Sequence, residues 1–122
     1  KIRAIGIVDR FLEHTRIMIF GNKGNEKVYI TSGDLMTRNI ERRVEIACPI
    51  LNNDMKKELH DIFDIQWRDN VKARLLDKNL ENNFADNDQP PLRSQIEIYH
   101  YLRASHEAAE DEREEKKDKT TV

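Results

Sequence analysis

A single cysteine, Cys48, excludes an internal disulfide in this 122-residue chain and fits a reducing compartment. Its place in the apolar run VEIACPI predicts a packed, buried thiol rather than a catalytic one. A second cysteine for zinc is missing, and the four histidines, His14, His60, His100 and His106, show no metal-ligand spacing. A phosphate-cradling GxxxxGK(S/T) loop is absent, since the glycines of GNKGN fall in a turn-like stretch. No apolar run approaches the ~20 residues that span a bilayer, and no signal-peptide pattern is present. Ser32 has no identifiable partner for nucleophilic chemistry. No internal repeat is visible.

Charge of one sign is also lacking: the net charge is −2, with 36% of residues charged. That balance hides a gradient. Residues 1–50 hold nine Lys/Arg against six Asp/Glu, whereas residues 106–122 hold four against seven. Positive potential therefore belongs to the N-terminal part. A general nucleic-acid binder carries a larger basic excess interleaved with exposed aromatics, so nucleic acid is not an expected partner.

What is present fits one soluble domain of residues 1–105 with a solvated extension, 106–122. The first residue is Lys and the pattern is already regular by Ile2, so the expectation is a piece of a larger protein. Ile5, Val8 and Leu12 recur at helical spacing and predict a helix from Ile2 to Glu13. TRIMIF and KVYITS, joined by GNKGNE, read as a β-hairpin whose Gly and Asn residues suit positive φ angles. SGDLMTRN reads as a polar turn, and RRVEIACPI as a third strand stopped by Pro49. Asn53 then offers a cap for a helix with Met55, Leu59, Ile62, Phe63 and Gln66 along one stripe. NVKARLL is ambiguous between strand and helix, and 77–91 reads as a long loop. Ser94 and Glu97 form a capping-box pattern, S-x-x-E, opening a last helix with Ile98, Tyr101 and Leu102 on one face. Beyond His106 no apolar stripe remains, which predicts a frayed helix or a disordered tail. The fold class is α/β, an α+β arrangement with a mixed sheet and flanking helices, completed by sequence outside the chain.

The stretch RFLEHTRIMIF places a titratable imidazole, His14, and a fixed cation, Arg16, at the mouth of an apolar strand, on the same face as Met18 and Phe20. A helix-capping histidine is the plain alternative. Arg38, Arg42 and Arg43 cluster nearby in sequence, and guanidinium groups hold phosphate oxygens by paired, charge-assisted hydrogen bonds. Ser32, Asp34 and Asn39 share the same polar stretch and supply further contacts or hold the arginines. Against this, Arg42 or Arg43 pairing with Glu41 or Glu45 on the surface explains any single arginine better, and only the cluster beside His14 points to phosphate.

The blocks IRAIGIVDRFLEHTRIMIFGN, KVYITSGDLMTRNIERRVEIACPI and DNVKAR resemble the C-terminal catalytic domain of bacterial polyphosphate kinases, in order, over roughly residues 1 to 103. Gly33 and Leu35 depart from it, standing where alanine and tryptophan are common, and leave the charged positions intact. The resemblance implies a phospholipase D-like fold and a magnesium-dependent, reversible transfer of the terminal phosphoryl group of ATP to polyphosphate. The phosphohistidine intermediate would lie upstream of this segment, which alone would be inactive. By resemblance, His14 meets ATP and acts as a general acid; the residue pattern itself adds Arg16, Arg38, Arg43, Ser32 and Asn39 as expected ATP- and phosphate-binding residues. HTR stands where phospholipase D relatives carry H-x-K, and SGD is similar to their G-S-x-N loop. Implied partners are ATP or ADP, polyphosphate, the rest of the kinase chain, and further copies in a homo-oligomer. The implied location is the cytoplasm, with peripheral attachment to the inner membrane as a second placement. Magnesium ligands are expected outside the chain. A phospholipase D-type phosphodiesterase or phosphatidyltransferase, and a non-catalytic polyanion-binding module, are the alternatives.

Overall fold

A computed structural model describes residues 2–86 and 88–120, and the chain divides into two compact units: Arg10–Asp64, and the residues before and after it. In the first, strand β2 (Ile17–Phe20) and strand β3 (Lys27–Thr31) form the expected hairpin. Its connection places Asn22, Lys23 and Gly24 at φ of 39°, 54° and 92°, and Gly24 N–H donates to the Gly21 carbonyl at 2.8 Å. Asn and Gly tolerate that left-handed backbone, which is why GNKGNE turns here.

Strand β4 (Ala47–Ile50) adds antiparallel to β3, with Ile50 opposite Val28. Alternation puts Ile19, Val28 and Ile50 on one face, and Val28, 1% exposed, is the centre of this unit's core. The third strand is shorter than the run RRVEIACPI predicts, and Pro49 lies inside it rather than ending it. Its start is set by Ser32: the hydroxyl takes the Ile46 N–H at 3.0 Å where a backbone carbonyl would continue the ladder. Cys48 is exposed, a correction to the buried role expected of it.

The polar turn predicted across SGDLMTRN ends early. Helix α1 (Thr37–Arg42) takes over once Met36, in extended backbone, offers its carbonyl to the N–H groups of Asn39 and Ile40. Arg42 is therefore the last residue of a helix, not a strand residue alternating with Arg43. Helix α2 (Asn53–Trp67) follows β4, capped one residue earlier than predicted, by Asn52 Oδ1 accepting the Met55 N–H at 3.0 Å. On the predicted stripe Met55 and Phe63 are exposed, while Ile65, off the stripe, is buried.

In the second unit the predicted helix from Ile2 to Glu13 is replaced by strand β1 (Ile5–Ile7). Ile5 and Ile7 alternate with Ala4 and Gly6 as well as they fit a helical stripe, and their β-branched side chains favour the pleat. A partner decides it. Strand β5 (Ala73–Leu75) pairs antiparallel, Ile5 with Leu75 and Ile7 with Ala73, so the ambiguous NVKARLL is a strand. The 77–91 loop returns to this ladder: Phe84 bridges Arg74, whose guanidinium stacks on the ring, and Ala85 N–H donates to Ala73 O at 3.0 Å.

Asp69, 1% exposed, ties this unit together. Its Oδ1 accepts the N–H groups of Val71, Lys72 and Ala73, and its Oδ2 accepts that of Ser94 at 2.7 Å. Burial raises the acid's pKa, but the N–H groups of Lys72, Ser94 and Ala73 outweigh it and hold the carboxyl below its ordinary value. Helix α3 (Ser94–Thr120) thus begins at the expected serine, yet its first N–H is satisfied from 25 residues away rather than within a capping box. Ile98 and Tyr101 are half-buried and Leu102 is exposed. Past His106 the chain continues as helix to Thr120.

The architecture mixes strands and helices as the α/β reading requires. All ladders among the described residues are antiparallel, in separate two- and three-stranded sheets.

Candidate active site

The first unit gathers the charged residues singled out in the sequence. Arg16 leads into β2, and its carbonyl accepts the Thr31 N–H at 2.9 Å, fixing it beside the end of β3. Its guanidinium donates from Nε to Asp34 Oδ1 at 2.6 Å and from Nη1 to the His14 carbonyl at 3.0 Å. His14 itself is exposed. The Arg16 hydrogen bond is the largest influence holding the Asp34 carboxyl below its usual range; partial burial opposes it, and the charges of Arg16, Arg38 and His14 add to it. His14, Arg16 and Arg38 therefore share one electrostatic neighbourhood.

Glu45 is the residue that sequence reasoning undervalued. Ser32 Oγ donates to its Oε2 at 2.5 Å and Asn39 Nδ2 to its Oε1 at 2.8 Å. Those two bonds, Ser32 first, lower its pKa; burial opposes them, and the charges of Arg43 and Arg16 assist. The one sequence signal was a carboxylate between Val44 and Ile46, facing away from both. Ser32 donates its hydroxyl to Glu45 and accepts from Ile46, and Asn39 is only 5% exposed. Both expected phosphate ligands thus serve as the scaffold of the loop.

An open cavity of about 340 Å³ lies in this unit. Met18, Leu35, Ile40 and Ile46 give it apolar walls, and Asp34, Arg43 and Glu45 give it charge. Arg43 follows α1 in extended backbone, while Arg42 stays in the last helical turn and lines no part of the cavity. Among the described residues Arg43 is the one arginine in the cavity lining; His14, Arg16 and Arg38 line no part of it and act on it through Asp34, whose carboxyl they influence. The lining alone carries two carboxylates to one guanidinium, and cationic charge comes from Arg16 and Arg38 beside Asp34.

Residues 1–95 match the family described as polyphosphate kinase C-terminal domain 2. The chain belongs to this polyphosphate kinase domain family. It is 48% identical over 105 residues to the polyphosphate kinase of Escherichia coli K12, covering 85% of this chain and 15% of that protein. The polyphosphate kinase of Vibrio parahaemolyticus is 47% identical over 104 residues, 84% of this chain and 15% of its own length. The crystal structure of polyphosphate kinase from Porphyromonas gingivalis superposes with a TM-score of 0.82 at 45% identity, over 87% of this chain and 16% of that one. The chain thus spans about 15% of the length of these curated relatives.

Among the described residues no group of three or more His, Cys, Asp or Glu side chains is placed to hold a metal. Asp34 and Glu45 are engaged with Arg16, Ser32 and Asn39 and, among the described residues, do not fit a magnesium site. No described helix is long and apolar enough to cross a membrane.

Asp34, Glu45 and Asp69 all have depressed folded-state pKa values, so each contributes stability that is present above its unfolded pKa and lost as pH falls through the folded one. Unfolded carboxyls titrate near ~4. The melting temperature is expected to hold between neutral pH and about pH 5 and to fall below about pH 4. A melting temperature that rises on acidification through that window contradicts the assignment.

Proposed function

We propose that this chain is the ATP-contacting C-terminal part of a polyphosphate kinase, which moves the terminal phosphoryl group of ATP reversibly onto polyphosphate through a phosphohistidine carried upstream of Lys1. The observation that carries this reading is the family match over residues 1–95, with His14 held next to an arginine cluster. Phosphoryl transfer is mostly positioning and charge stabilisation. Arg38 and Arg43 offset the phosphate charge, Glu45 braces the loop between them, and His14 donates a proton to the leaving oxygen as that oxygen gains negative charge. Magnesium accompanies the nucleotide and takes its protein contacts elsewhere. Leu35, 82% exposed, Val44, 97% exposed, and their neighbours Met36, Ile40 and Ile46 suit burial against the remaining part of the kinase chain. The protein works in the cytoplasm, and residues 106–122 form a charged extension outside the catalytic part.

In the intact protein, Arg38→Ala and Arg43→Ala are each expected to raise KM for ATP about tenfold, the scale of a charge-assisted hydrogen bond. Arg42→Ala leaves KM unchanged. Equal KM values in Arg43→Ala and wild type remove Arg43 from the site. The 122-residue chain alone makes no polyphosphate and takes no label from ATP, because the group-carrying histidine is not in it.

A further inference from the structure

Among the described residues no hydrogen bond fixes the His14 imidazole, which lies exposed in a stretch without regular structure between Arg10 and Arg16. Its place is set through the backbone, and the tie is Arg16 Nη1 on the His14 carbonyl. Such a bond on an exposed carbonyl is weak when its donor is free to swing. Here the donor is not free. A guanidinium is a rigid planar fork, so anchoring Nε at 2.6 Å on Asp34 aims Nη1 as well.

Asp34 is fixed in turn. Thr31 Oγ1 donates to the Gly33 carbonyl at 3.1 Å, Ser32 N–H donates to Ile46 O at 3.0 Å, and Ser32 Oγ reaches Glu45. Gly33 lies so close to Glu45 that a Cβ there would come within 2.7 Å of its Cγ. The turn presenting Asp34 therefore has little room to move. We propose that Asp34 is a positioning residue, which through the Arg16 fork holds the His14 backbone and so the imidazole in its working place. This rests on the role given to His14 above, and it assigns Arg16 a clamp's task rather than a phosphate ligand's.

The test is steady-state polyphosphate synthesis from ATP by the intact protein, with kcat and KM separated. Asp34→Ala is expected to lower kcat by about 10- to 100-fold, the scale of a small misplacement of a reacting group, with KM for ATP within about threefold. Arg16→Lys keeps the charge but lacks the fork, and is expected to show the same loss. The double variant falls no further than the worse single, because both break one clamp. Asp34→Asn, which keeps an acceptor for Nε, recovers part of kcat. If Asp34→Ala does not fold, Arg16→Lys decides: lowered kcat at constant KM supports the clamp, and raised KM at constant kcat overturns it. Wild-type kcat in Asp34→Ala, alongside a loss in His14→Ala, overturns the positioning role and leaves the role of His14 standing. Wild-type kcat in His14→Ala removes the role of His14 itself, and the clamp's purpose with it.

Discussion

Replacing His14 by alanine in the intact protein is expected to cut polyphosphate synthesis by about 10²–10⁴-fold while the fold is retained, because that is the range general acid–base help supplies. Retention of the fold follows from the geometry: the imidazole is exposed, and the contact made by this residue is through its backbone carbonyl, which alanine keeps. His14→Gln is the sharper variant. Glutamine keeps hydrogen-bonding capacity but has no acidic proton to deliver. Turnover near wild type in His14→Gln rejects the acid and leaves a binding residue. Turnover near wild type in His14→Ala returns the residue to the plain capping or surface alternative.

The largest loss of stability is expected from Asp69→Ala. Four backbone N–H groups converge on this buried carboxylate, from Val71, Lys72, Ala73 and Ser94, and alanine leaves them without acceptors. Orphaned buried donors cost about 1–3 kcal/mol each, so a total of about 3 kcal/mol or more is expected even if some find water. Trp67, the chain's one tryptophan, lies two residues away under the Arg3 guanidinium, and its fluorescence reports this unit. The urea midpoint of the chain followed by that signal should drop by about 1 M or more. Asp69→Asn retains an acceptor oxygen and loses less. An unchanged midpoint in Asp69→Ala contradicts the bracing role.

These two residues differ in how far the sequence announced them. His14 is nominated by a local pattern, an imidazole and an arginine two residues apart at the start of an apolar strand, and the hairpin was legible because period-two alternation and Asn/Gly turn residues are local too. Asp69 and Glu45 were not. Each works by accepting from residues far along the chain, Ser94 for one and Ser32 for the other, and no spacing within one segment encodes such a bond. The misread helix has the same origin: Ile5, Val8 and Leu12 satisfy a helical period, and only pairing with β5 selects the strand. The strand assumed for Arg42 and Arg43 was wrong because α1 ends between them. The bonds of Ser32 and Asn39 to Glu45 become visible only once 32, 39 and 45 are brought together.

Incubation of the intact protein with ATP labelled at the γ or the α phosphorus tests the central claim most directly. The account predicts label from the γ position in an acid-insoluble phosphate polymer, with the α label remaining in ADP and the polymer lost in His14→Ala. Polymer formation that is unaffected in His14→Ala, or cleavage of a phosphodiester with no γ label in any polymer, would contradict it.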